Sequence, residues 1–331
     1  MNSSALRLSL DAPCTLSVVV PLYNEEAVLP LLHRRLLAVL AAVAGSVEII
    51  YVDDGSTDCT GPMLQQLRLG CAWVSVVRFS RNFGKEQALT AGLQLARGDA
   101  VVLIDADLQH PPEVIPAMVA AWREGADVVN MRRRDRNEES WLRRSSARIF
   151  YRLINGLSDT PIPQDIGDFR LFSRRAVDAL NQLPERNRFM KGLFAWIGFR
   201  QTTLDFDCDQ RAAGQSKWRW RQLLHFAIEG VTAFSVRPLK LASYAGLTSA
   251  LIAFGYALYF LVKTLVFGDS VAGFPTLIVV VLMLGGLQLL AIGVLGEYLG
   301  RLCLESKRRP LYIVEDYLPA TEQQGLAGAG R

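Results

Sequence analysis

No C-x-x-C pair occurs among the five cysteines, and their number is odd. That argues against a disulfide framework and a zinc site, and it fits a reducing compartment. The charge balance is also unremarkable: a net +4 over 331 residues is too small to argue for nucleic acid as a partner. Met1 to Pro13 has no apolar stretch flanked by positive charge, so no cleaved leader is expected. There is no internal repeat, and the only biased tract is the short Gly/Ala segment after Glu322. The glycine-rich fingerprint of a dinucleotide fold, G-x-G-x-x-G after the first strand, is missing too. The corresponding residues read Pro21-Leu22-Tyr23-Asn24-Glu25-Glu26, so a glycine loop does not grip phosphate here.

Acids stand where the glycines would. Val101-Val102-Leu103-Ile104 reads as a buried strand and runs into Asp105-Ala106-Asp107-Leu108-Gln109-His110, after which Pro111-Pro112 stops the strand and opens a helix. In extended chain residues i and i+2 point the same way, so Asp105 and Asp107 are expected on one side, with Gln109 continuing the alternation. Two hard oxygen ligands so placed suit Mg²⁺ or Mn²⁺, with phosphate oxygens completing the octahedron. Taken singly, such acids are ordinary polar turn residues; their coincidence at neighbouring strand ends is the signal.

Upstream, Leu16 to Val20 ends at Pro21, and Val47 to Val52 ends in Asp53-Asp54-Gly55-Ser56. Val74 to Phe79 is a third strand, Lys85 to Ala96 a helix, Glu113 to Arg123 another helix, and Asp127 to Asn130 a fifth strand. Strand and helix alternate throughout, which predicts an α/β fold with a mostly parallel sheet covered by helices. Ligands of such sheets bind at the carboxyl ends of the strands, where these acids lie. Asp54 is a candidate for base or ribose hydrogen bonds.

Three of these segments carry a resemblance. Val18 to Glu26, Val52-Asp53-Asp54-Gly55-Ser56-Thr57-Asp58 and Asp105-Ala106-Asp107 resemble the nucleotide-sugar-binding motifs of family-2 inverting glycosyltransferases. Asn82-Phe83-Gly84-Lys85-Glu86 and Asp107 to Glu113 resemble a narrower group, the polyprenyl-phosphate glycosyltransferases, which includes bactoprenol glucosyltransferases and dolichyl-phosphate mannose synthase. The resemblance implies a GT-A-type sheet, a nucleotide-sugar donor contacted by Pro21, Tyr23, Glu25, Asp54, Lys85 and Asp105, and a divalent metal on Asp105, Asp107 and Gln109. Asp107 is thereby a catalytic residue. The resemblance also makes Asp168, in Gly167-Asp168-Phe169-Arg170-Leu171, the catalytic base. A lipid phosphate with a second pKa near ~6 is already largely ionised, so Asp168 could equally position the acceptor.

The remaining features point to a lipid acceptor. Residues 141–155 place Arg between Trp141, Leu142, Ile149, Phe150 and Leu153, a basic amphipathic helix suited to a membrane interface. Residues 217–235 suggest a second such helix, with Trp218 and Trp220 at the headgroup level. Arg132, Arg143, Arg144, Arg170, Arg211 and Lys217 are the candidate contacts for acceptor phosphate. Gln215-Ser216-Lys217-Trp218-Arg219 lacks the Arg of the Q-x-x-R-W motif of processive polysaccharide synthases, which disfavours polymer synthesis.

Residues 241–267 and 274–299 are each long and apolar enough to cross a bilayer, forming a hairpin joined by a turn without Lys or Arg. Basic residues flank the outer ends, so the positive-inside rule puts the rest of the chain in the cytoplasm. The expected organisation is a cytosolic catalytic domain over 1–235, a transmembrane hairpin over 236–303 and a cytosolic tail over 304–331, in a multi-pass protein of the inner membrane. Gly285, Gly286, Gly293, Gly296 and Gly300 recur near helical spacing, and such small faces favour close helix packing, so association between copies of the chain is a further expectation. The expected reaction is inverting transfer of a hexose, glucose from UDP-glucose, to undecaprenyl phosphate for a surface glycan. The competing reading is a metal-dependent nucleotidyltransferase, or a sugar-nucleotide-binding membrane protein without transfer.

Overall fold

The computed structural model describes residues 15–43, 45–134, 166–186, 188, 190–207, 237–267 and 273–320. Contacts divide the chain into two units: one holds a sheet with its helices and includes the chain from Arg309 onward, and the other holds two long helices ending at Arg308.

In the first unit the apolar runs become strands and the periodic segments helices. They follow as β1 (Leu16–Leu22), α1 (Leu29–Leu40), β2 (Val47–Asp53), α2 (Thr60–Gly70), β3 (Val74–Phe79), α3 (Lys85–Leu95), β4 (Ala100–Leu103), α4 (Ile115–Arg123) and β5 (Val128–Arg133). After the first undescribed stretch come β6 (Ile166–Ser173), α5 (Arg174–Gln182), α6 (Met190–Trp196) and β7 (Gln201–Phe206). The eight-stranded sheet has the order β7-β5-β6-β4-β1-β2-β3-β8, where β8 is Val314–Leu318. β1 pairs in parallel with β2 and β4, β2 with β3, and β5 with β7. β6 runs antiparallel between β4 and β5. The mostly parallel α/β sheet flanked by helices is therefore present.

Every residue of β1 and β4 is buried, as helices on both faces of a parallel sheet require. Each buried Val, Leu or Ile contributes roughly 1.5–3 kcal/mol, and the cluster from Val18, Ile49 and Val102 through Phe169 and Leu171 makes one continuous core. α3 lies close on β1 because Gly92 has no side chain: a Cβ there would come within 2.1 Å of Val19 Cγ1. That close seat sets the depth of α3, whose first residues are Lys85 and Glu86.

Two expectations change. β4 ends at Leu103, so Asp105 to Gln109 is a turn and the extended alternation does not hold. Asp107 bends back to accept the Gln109 amide at 3.1 Å, and buried Leu108 takes the left-handed region at φ 59°. The chain after residue 304 is also more than a tail: β8 adds to the sheet edge antiparallel to β3.

The second unit consists of α7 (Arg237–Phe267) and α8 (Phe274–Ser306). At ~1.5 Å per residue each is more than about 45 Å long. Leu251, Phe254, Tyr259, Met283 and Leu289 are exposed along them. Among the described residues one helical segment, Met283–Ser306, is long and apolar enough to cross a membrane by length and composition. Glu297 within it is paired with Arg301, one turn on, at 3.2 Å. Among the described residues a Cβ built on Gly285, Gly286, Gly293, Gly296 or Gly300 meets no atom within 4 Å.

Candidate active site

The ends of β1 and β2 are stitched into one rim. Ser56 Oγ accepts the Asn24 amide at 3.0 Å, Asn24 Oδ1 accepts the Thr57 amide at 2.8 Å, and Thr60 Oγ1 accepts the Glu25 amide at 3.0 Å. Gly55 makes the turn possible: its φ is +69°, and a Cβ would lie 2.4 Å from the Arg81 carbonyl carbon. Of the expected nucleoside contacts, Tyr23 is exposed and Glu25 half-buried. Pro21 is buried in the β1 ladder opposite Val52.

Asp54 is buried and clamps the loop after β3, with one carboxylate oxygen accepting the Phe83 amide at 2.6 Å and the other the Gly84 amide at 2.9 Å. Burial pushes its pKa up and the two amides only partly offset that. In this structure Asp54 shapes the loop that leads to Lys85.

Lys85 is the centre of the site. From the first turn of α3 its Nζ lies 2.6 Å from Asp105 Oδ1 and 2.6 Å from Asp168 Oδ2. One ammonium thus ties α3 to the turn after β4 and to β6, the latter across 83 residues of sequence. Burial works against its charge, but Asp105 and Asp168 hold its pKa above the ordinary lysine value. Asp168 is largely buried, which alone would raise its pKa; the ammonium of Lys85, then Lys191 and Arg170, hold it well below the usual carboxylate range. Among the described residues its buried Oδ1 has no hydrogen-bond partner, an acceptor with capacity left over.

Residues with no assigned role complete the wall. His110 stacks on Phe169, with centroids 5.0 Å apart at 23°, and meets the edge of Phe206. Its Nδ1 lies 3.8 Å from Asp105 Oδ2 and makes no hydrogen bond among the described residues. Burial pulls its pKa down, against the field of Asp105. Nothing at the sequence level separated His110 from the prolines that follow it, and Lys191 carried no signal at all.

Glu86 accepts the Met190 amide at 3.1 Å, and burial, reinforced by Asp168, pushes its pKa up to about 7. A carboxyl whose folded pKa lies above its value of 4.5 elsewhere binds more protons folded than unfolded between those limits. Its contribution is intact below about pH 4.5 and fades towards pH 7, by up to about 3 kcal/mol. Melting curves in detergent check this: Glu86→Gln should match the parent at about pH 4 and exceed it at about pH 8, whereas an equal difference at both would refute it.

The cations proposed for acceptor phosphate fare differently. Arg132 is exposed and paired with Asp205, Nε to Oδ1 at 2.7 Å and Nη2 to Oδ2 at 3.1 Å. Arg170 is 1% exposed, donates to the Gly167 carbonyl and lies 4.9 Å over the Phe194 ring. It therefore supports Asp168 from beneath. Arg143, Arg144, Arg211 and Lys217, and both amphipathic segments, lie outside the described residues.

Among the described residues no group of three or more His, Cys, Asp or Glu gathers as a ready-made metal cage. The donors of the turn still fit a hard cation. They are carboxylate and amide oxygens, and Asp105 already has a cation drawn against it in the ammonium of Lys85. If Asp105 and Asp107 held such an ion, positions would remain for oxygens from elsewhere.

Residues 17–180 match the profile of Glycosyl transferase family 2, and residues 237–302 match that of the GtrB C-terminal hairpin. A glycosyltransferase of Synechocystis sp., described as uncharacterized, is 48% identical over 92% of this chain and 97% of its own length. The bactoprenol glucosyl transferase of Shigella phage SfV is 44% identical, covering 91% of this chain and 98% of that protein. A prophage bactoprenol glucosyl transferase homolog of Escherichia coli is 42% identical, with coverages of 91% and 98%.

Proposed function

The chain belongs to glycosyl transferase family 2, and we propose that it moves a hexosyl group from a nucleotide sugar to the phosphate of a polyprenyl carrier at a membrane surface. In its sharpest form the donor is UDP-glucose, the acceptor is undecaprenyl phosphate and the anomeric centre inverts. The relatives named bactoprenol glucosyl transferase, matched over nine-tenths of the chain, support the acceptor class. The observation that carries the mechanism is the contact of Lys85 with both Asp105 and Asp168. It brings the donor-side acid and the acceptor-side acid into one cluster, at the strand ends where an α/β sheet binds its ligands.

The donor lies across the ends of β1, β2 and β4, with Tyr23 and Glu25 on the nucleoside side and Lys85 against the diphosphate. Asp105 and Asp107, with Gln109, are the residues that would hold Mg²⁺ or Mn²⁺, which when bound neutralises charge on the departing diphosphate. A phosphate oxygen of the acceptor attacks C1 from the face opposite the diphosphate. The new C1–O bond forms as the old one breaks, and the electron pair leaves with the nucleoside diphosphate. Asp168 orients the acceptor phosphate and takes its residual proton where it arrives as a monoanion. Arg132 contributes positive charge near the acceptor, together with Arg143, Arg144, Arg211 and Lys217. Residues 1–235 form the cytosolic catalytic part and 236–303 a two-span hairpin in the inner membrane, which keeps the enzyme where its lipid substrate is confined. Copies of the chain associate through the hairpin.

Membranes containing the protein, supplied with labelled UDP-glucose and polyprenyl phosphate, should move label into the organic phase with equimolar release of UDP. Release of pyrophosphate instead would favour a nucleotidyltransferase. Absence of transfer from every common donor would end the transferase reading.

A further inference from the structure

The loop that delivers Lys85 is held from two directions. On one side Asp54 takes the amides of Phe83 and Gly84. On the other stands the segment that follows α8. The Ile313 carbonyl accepts the Ser80 amide at 3.1 Å. The Tyr312 ring stacks on Phe79 with centroids 4.7 Å apart at 14°, and Phe79 in turn meets Phe83 edge-on at 5.8 Å and 88°. The Tyr312 hydroxyl donates to Gln94 Oε1 at 2.6 Å, which fixes the same ring to α3. Beyond it the chain runs along β3 as β8, and two contacts hold its far end: Ser75 Oγ accepts the Ala320 amide at 3.0 Å, and Arg68 donates to the Pro319 carbonyl.

These contacts form a single line of packing from Tyr312 through Phe79 and Phe83 to the two amides on Asp54, and so to Lys85. A stacked aromatic pair is worth something beyond its buried area, and its geometry is directional. Removing the outermost ring leaves Phe79 with an open face, while the Arg81 guanidinium, 4.1 Å over the Phe83 ring, remains as a further contact on Phe83. We propose that Tyr312 is a positioning residue for the donor side of the site: the segment after the second long helix holds the 80–84 loop so that Lys85 reaches Asp105 and Asp168. What Lys85 then serves rests on the transferase reading; the packing does not.

Hydrogen exchange on the full-length protein in detergent tests the packing without any substrate. In Tyr312→Ala, amides of residues 80–84 should exchange about tenfold faster while those of β1 and β4 stay as in the parent. Tyr312→Phe keeps the ring, loses the hydroxyl and should stay within about twofold. In transfer assays, Tyr312→Ala should raise KM for the nucleotide sugar at least about fivefold more than KM for the lipid phosphate, and Tyr312→Phe should restore it. Unchanged exchange at 80–84 overturns the proposal, and so does a rise of equal size in β1 and β4, which would make Tyr312 an ordinary part of the core. If the parent moves no sugar at all, the transferase reading fails while the exchange result still decides the positioning role.

Discussion

Replacing Asp107 by alanine should lower turnover by about 10³-fold or more, and replacing it by asparagine should cost nearly as much. The comparison matters because Asp107 has a second task. Its Oδ1 accepts the Gln109 amide and so builds the turn in which Leu108 is left-handed. Alanine loses both the turn and the charged oxygen. Asparagine keeps a carbonyl oxygen for the Gln109 amide and loses only the charge. If Asp107 serves chiefly to shape the turn, Asp107→Asn should keep most of the parent's turnover and Asp107→Ala should melt lower. If it supplies an anionic ligand, both variants should be inactive and Asp107→Asn should melt with the parent. The second pattern is expected, read out as UDP release and as thermal melting of the same preparations. Asp107→Asn with more than about a tenth of parental turnover would contradict the ligand assignment.

How much of this was visible in the sequence depends on the range of the interaction. β1, β2 and β4 were legible because apolar runs that end in acids are a local pattern, and parallel strands buried on both faces must be written that way. Burial of Arg170 inside β6 was not legible. An arginine between apolar neighbours reads the same whether it points to solvent or is held under an aromatic ring. β8 was hidden for the opposite reason. Val314-Glu315-Asp316-Tyr317-Leu318 carries two acids and no apolar run, because an edge strand needs little beyond its backbone. The turn at Asp105 to Gln109 defeated a rule that holds only in extended chain. The contact at the heart of the site, Lys85 with Asp168, spans 83 residues, and only the sheet order brings the two together.

The last expectation concerns the division of labour at Asp168. On the proposed acceptor-side role, replacing it by asparagine should lower kcat by about 10²- to 10⁴-fold while donor KM changes little. The dependence of that loss on pH tells a base from a locator. The acceptor's second pKa is near ~6, so at pH 8 nearly all of it arrives without a proton to give up, while at pH 5.5 most of it still carries one. Asp168 itself stays ionised across this range, because the ammonium of Lys85 keeps its pKa well below that of an ordinary carboxylate. A base is therefore needed most at low pH, and the deficit of Asp168→Asn relative to the parent should deepen as pH falls from 8 to 5.5. A deficit that is large but flat over that interval would leave Asp168 only the task of orientation. Lys85 sharpens the contrast: while it stands 2.6 Å from Asp168 it weakens that carboxylate as a base. Movement of the ammonium towards the donor diphosphate would release both Asp105 and Asp168 at the moment each is used. Lys85→Met should then bind Mn²⁺ more tightly than the parent, measured by titration without donor, yet turn over at least about 10²-fold more slowly. Weaker Mn²⁺ binding in that variant would show that Lys85 does not compete for Asp105.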